Sequence, residues 1–67
     1  MIVAQDSIKD FINSQKSIED LADKINVAHS TLYSVAKGNN VSADVVAKLL
    51  NETGFDFEKA FEVNNED

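Results

Sequence analysis

Apolar residues recur at helical spacing along most of the chain, and no stretch alternates with period two between turn dipeptides. The pattern predicts an all-α domain, and a sheet is not expected. Ala4, Ile8, Phe11 and Ile12 share one face of a first helix over about 5–14. Ser7-x-x-Asp10 offers a capping box that would start this helix at Ile8, with Ile2 and Val3 packing from an extended arm. Ser17 is a good N-cap for a second helix, with Glu19 and Asp20 at the positive end of its dipole. Ile18, Leu21, Ala22 and Ile25 form its apolar stripe, and Asn26 tolerates the left-handed conformation that ends a helix. A third helix over about 29–37 follows Val27; Leu32, Val35 and Ala36 face inward, and Gly38 lies just past its end. Ser42 caps a fourth helix over 43–53, where Val45, Val46, Leu49 and Leu50 make one buried face and Gly54 ends it. Asp56 caps a short fifth helix over 57–62 with Phe57, Ala60 and Phe61. The reading is one domain over 1–62 and a flexible acidic tail over 63–67.

The second and third helices are separated by about three residues. Two helices so joined must cross while sharing one core, which demands particular residue types. A small residue is needed where they approach, and Ala22 is there. A residue tolerant of positive φ is needed in the turn, and Asn26 stands four positions on. Leu21, Ile25, Val27, Leu32 and Val35 supply the shared apolar stripe. This pattern over about 18–37 resembles the lambda-repressor/Cro-like, or Xre, helix-turn-helix family. The resemblance runs from about Ile8 to Phe61 and includes the count of five helices. The stretch STLYSVAKGNNVSADVVAKLLNETGF is also similar to phage regulators and HigA-type antitoxins.

The resemblance implies a compact five-helix fold that places its third helix in the major groove of a double-stranded DNA operator. Ala28, His29, Ser30, Tyr33 and Ser34 would face the bases. Ser17, at the start of the second helix, would meet a phosphate, as would Lys37, Asn39 and Asn40 after the third. Each of these has a plainer alternative. His29 can be a solvated first-turn residue, Tyr33 can lie over the core edge, and Ser30, Thr31 and Ser34 can be a neutral surface. The family often has glutamine where Ile18 stands, glycine at Asn26 and proline near Val41. Phe55, Phe57 and Phe61 either close the core or form a homodimer interface. A dimer would set two recognition helices about 34 Å apart, one turn of duplex.

Charge complicates this picture. The 67 residues carry a formal net charge of −6 and contain no arginine, although the Arg–guanine pair is the commonest specific base contact. The charge is uneven. Residues 1–40 hold Lys9, Lys16, Lys24 and Lys37 against Asp6, Asp10, Glu19, Asp20 and Asp23, whereas 41–67 hold two lysines against seven acids. Between Lys24 and Ala43 there is no acid at all. The leading expectation is therefore a sequence-specific DNA-binding regulator of repressor type. The rival is a protein-interaction module, an antitoxin or antirepressor whose acidic surface binds a toxin or a repressor.

Other classes recede. Without cysteine there is no disulfide, thiolate metal site or nucleophilic thiol. A lone histidine is not a metal site, and a chain this small scarcely forms the cleft an enzyme needs. No enzyme activity, cofactor or metal is expected. No apolar run approaches the ~20 residues of a membrane span, so a cytoplasmic protein is expected. A core this small supplies only a few kcal/mol of net stability, and a second subunit would add to it.

Overall fold

The computed structural model describes residues 1–64. Strand β1 (Ile2–Ala4) leads into helices α1 (Asp6–Asn13), α2 (Ile18–Ile25), α3 (His29–Ala36), α4 (Ala43–Thr53) and α5 (Phe57–Ala60), and strand β2 (Phe61–Val63) follows. The five expected helices are present, in the expected order.

Local chemistry sets most of their ends. The Ser17 hydroxyl accepts from the Asp20 N–H at 3.2 Å, and the Ser42 hydroxyl accepts from the Val45 N–H at 3.4 Å. Each satisfies one of the free donors at a helix start. Gly54 ends α4 at φ 77°, its N–H donating to the Leu50 carbonyl. Nothing lies within 4 Å of the place a Cβ would take there, so the left-handed backbone rather than crowding favours glycine. The first helix departs from expectation. Its N-cap is Gln5, without a side-chain cap bond. Ser7 lies inside the helix, and its hydroxyl donates to the Lys59 carbonyl at 2.5 Å. The Ser7–Asp10 capping box is not formed, because a tertiary acceptor takes the hydroxyl.

The absence of a sheet is overturned. The last helix ends two residues early, at Ala60, and Phe61 turns to extended backbone (φ −136°, ψ 164°). β2 then pairs antiparallel with β1, Ile2 opposite Val63, Val3 opposite Glu62 and Ala4 opposite Phe61. Three-residue strands are too short to show alternation. Val63 and Asn64, assigned to the tail, belong to this ribbon: the Asn64 N–H donates to the Met1 carbonyl at 2.7 Å. The remainder of the expected tail, 65–67, lies outside the described residues. Gln5 locks the ribbon's end, its amide donating to the carbonyls of Glu58 (2.7 Å) and Phe61 (2.6 Å). On its other edge, β1 meets the loop after α3. The Ile2 carbonyl accepts from the Val41 N–H at 2.7 Å, and the Ile2 N–H donates to Asn40 Oδ1 at 3.2 Å.

One apolar core joins these parts. Ile8, Ile12, Leu32, Val35, Leu49 and Phe61 are fully enclosed, and no polar side chain of the described residues is buried. Phe61, considered above for a subunit interface, is 1% exposed and stacks on Phe57 at 6.0 Å between ring centroids. Its side chain is enclosed by its own chain and offers no surface to a second copy. The reason is the strand geometry: pairing with Ala4 turns the ring inward.

Candidate nucleic-acid interface

The turn between α2 and α3 is built from three residues, 26–28. Asn26 adopts the left-handed conformation at φ 61° and ψ 52°. The Val27 N–H then reaches back to the Ala22 carbonyl at 2.9 Å, and the Asn26 N–H to that of Asp23 at 3.3 Å. These two bonds close the helix in a Schellman pattern. The Asn26 carbonyl accepts from Lys48 Nζ at 2.9 Å, which ties the turn to α4. Ala22 is fully buried where α3 packs against α2, with Leu21, Ile25, Leu32 and Val35 in the same core.

Burying Leu32 and Val35 turns the opposite side of α3 outward. Ala28, its N-cap, is exposed, as are His29, Ser30 and Tyr33; Thr31 and Ser34 are half-buried. These residues share one protruding edge. Ser17 lies at the start of α2, beside a cleft lined by Gln15, Lys16, Asp20, Leu21 and Lys24. Lys37 caps α3 and is exposed, as is Asn39. Asn40 has a structural partner, because its carbonyl oxygen receives the Ile2 N–H.

Two carboxylates enter this edge that the sequence did not connect to it, Glu19 and Asp23. The Tyr33 hydroxyl donates to Glu19 Oε2, while the Ser17 hydroxyl donates to Oε1 at 3.2 Å. The bond from Tyr33 is the main reason the Glu19 carboxyl is held below the usual carboxylate range. The same bond raises the Tyr33 phenol above its ordinary value. His29 Nε2 lies 2.9 Å from Asp23 Oδ1. A carboxylate accepts only, so Nε2 carries the proton of this bond. These partners sit on different helices, and no spacing rule within one helix links them.

The lysines divide similarly. Lys24 pairs with Glu52 at 2.7 Å, and Lys48 with Asp44 at 3.2 Å. Lys16 and Lys37 are exposed and make no ion pair among the described residues. Phe55 is 38% exposed and meets Phe11 edge-on at 6.4 Å. No helix of the described residues is long and apolar enough to cross a membrane, and no three His, Asp or Glu residues among them gather as a metal site would require.

A family model described as the bacteriophage CI repressor helix-turn-helix domain matches residues 6–59. The chain belongs to this family. The match takes in α1 to α4 and all but the last residue of α5, and it leaves out both strands. The expected lambda-repressor/Cro-like fold is thus the fold of this repressor domain, with a small ribbon closing it. No curated protein and no solved structure matches the chain.

Proposed function

We propose that the protein is a sequence-specific DNA-binding transcriptional regulator of Cro/repressor type. It lays α3 in the major groove of a duplex operator and works as a homodimer in the cytoplasm. The supporting observation is the two-sided character of α3. Leu32 and Val35 anchor it in the core, while Ala28, His29, Ser30 and Tyr33 stand exposed on its outer edge. The major groove admits a helix, and there each base pair shows a distinct set of donors and acceptors. Ser34 reaches the same groove from the edge of α3. Ser17, Lys16, Lys37 and Asn39 flank the helix and contact phosphates. Asn40 contributes indirectly, by holding the loop after α3 on β1. Phe55 and the outer edge of Phe57 form the two-fold contact.

The charge sets how such binding behaves. A slope of about 0.9 in log K per neutralised phosphate, with two lysines per subunit, gives roughly −4 for a dimer. Non-specific binding is weak, and specificity rests on hydrogen bonds and shape. Retardation of a random duplex pool at low salt tests the reading. Retained duplexes that share a two-fold site support it; folded protein that retains none overturns it.

A second reading has its own observation. Glu19, Asp20 and Asp23 are exposed on α2 beside α3, an acidic helical surface that fits a basic groove on a protein partner such as a toxin or another repressor. Stoichiometric recovery of such a partner without DNA favours this reading.

A further inference from the structure

Where Tyr33 meets α2, the candidate edge is rich in acceptors. A phenol has one proton and otherwise accepts, and the Tyr33 proton is committed to Glu19. Glu19 is an acceptor through both oxygens, and its carboxyl is held ionised by the same bond. Across the turn, the His29 Nε2 proton is likewise directed at a carboxylate, that of Asp23. The two ring side chains that project from α3 therefore each direct a proton at a carboxylate of α2, and the Tyr33 oxygen is left as an acceptor. Arginine, which would supply donors, is absent from the chain.

Bases differ in their answer to such a surface. Guanine shows two acceptors in the major groove, N7 and O6; thymine shows O4. Adenine shows an N6 donor beside an N7 acceptor, and cytosine shows only the N4 donor. A carboxylate taken out of water against base acceptors alone would lose its water donors and keep only the Tyr33 and Ser17 hydroxyls, while facing like partial charge, which is costly. The N4 amino group of cytosine satisfies it.

We propose that the Tyr33–Glu19 pair selects cytosine in each half-site by accepting from its N4 amino group, with Glu19, a residue of α2, as the specificity-determining member. This rests on the DNA-binding reading above. The Tyr33 ring supplies contact area and holds the carboxylate at the groove edge, and the Ser17 hydroxyl fixes its other oxygen. Replacing that cytosine weakens binding roughly 5- to 150-fold, the range for one well-made base contact.

The test is selection from a random duplex pool by the full-length wild type and by Glu19→Gln. Glutamine keeps an acceptor for the Tyr33 hydroxyl, so a merely structural bond would survive the change. It adds two donors and suits adenine N6 and N7. The expected result is a site with cytosine at one position per half-site, replaced by adenine at that position in sites selected by Glu19→Gln. Identical sites for both proteins overturn the proposal, as does guanine in the wild-type site at the position that changes. Failure of both folded proteins to retain any duplex overturns the DNA-binding reading itself, and this proposal with it.

Discussion

The helix pair α2–α3 and the ribbon β1–β2 are held by different kinds of contact. In the pair, the bonds that set the geometry are short in sequence: Ser17 to Asp20, Val27 to Ala22, Asn26 to Asp23. In the ribbon, the bonds between the strands join residues near opposite ends of the chain, the Asn64 N–H with the Met1 carbonyl and the Gln5 N–H with that of Ala60. The pair can take its shape from local rules, but it cannot bury its own apolar face. Leu32 and Val35 become enclosed only when other elements, including Phe61 at the chain's far end, complete the core. The outer edge of α3 thus takes its shape from nearby residues and its stability from distant ones.

Phe61→Ala should break this division most severely. Truncating a buried phenylalanine costs about 3–5 kcal/mol, close to the whole net stability of a domain this size. Loss of the helical circular dichroism signal is expected. A folded variant that loses only self-association would return Phe61 to the subunit interface. Asn26→Val tests the pair instead. A β-branched residue in the left-handed region costs about 1–2 kcal/mol, whereas Asn26→Gly should match or exceed the wild type; urea midpoints distinguish them. Ser17→Ala should cost about 1 kcal/mol and speed hydrogen exchange at the Asp20 amide while leaving the ribbon protected.

The smallest effect belongs to Tyr33→Phe, which removes the bond to Glu19 without touching the core. Glu19 should then titrate higher, toward the ordinary carboxylate range, as a side-chain NMR titration would show. The sign follows from the direction of each shift. The folded-state carboxyl is lowered, so its contribution is present above the unfolded carboxylate pKa and lost as pH falls through the lowered value. The phenol is raised, so its contribution is present below its unfolded pKa and lost as pH rises through the raised value. Between these limits the difference between wild type and variant should be independent of pH. The pair is exposed, so that difference is small.

The sequence by itself determined what depends on neighbours within a turn or two. Ser17 and Ser42 mark helix starts because a hydroxyl meets the N–H three residues on. Asn26 and Gly54 mark helix ends because they accept a positive φ. Ala22, the apolar stripe and the outward residues of α3 follow from helical spacing, so the five helices and the candidate edge were legible. Ser7 misled, because its hydroxyl reached across the molecule to Lys59 rather than along its own helix. Only the tertiary structure decided that Ile2 and Val63 pair, that Phe61 turns inward, and that Glu19 and Asp23 accept hydrogen bonds from Tyr33 and His29. The reason is that a bond between separate elements depends on how those elements are placed in space, and the spacing of residues along one helix or strand does not encode that placement.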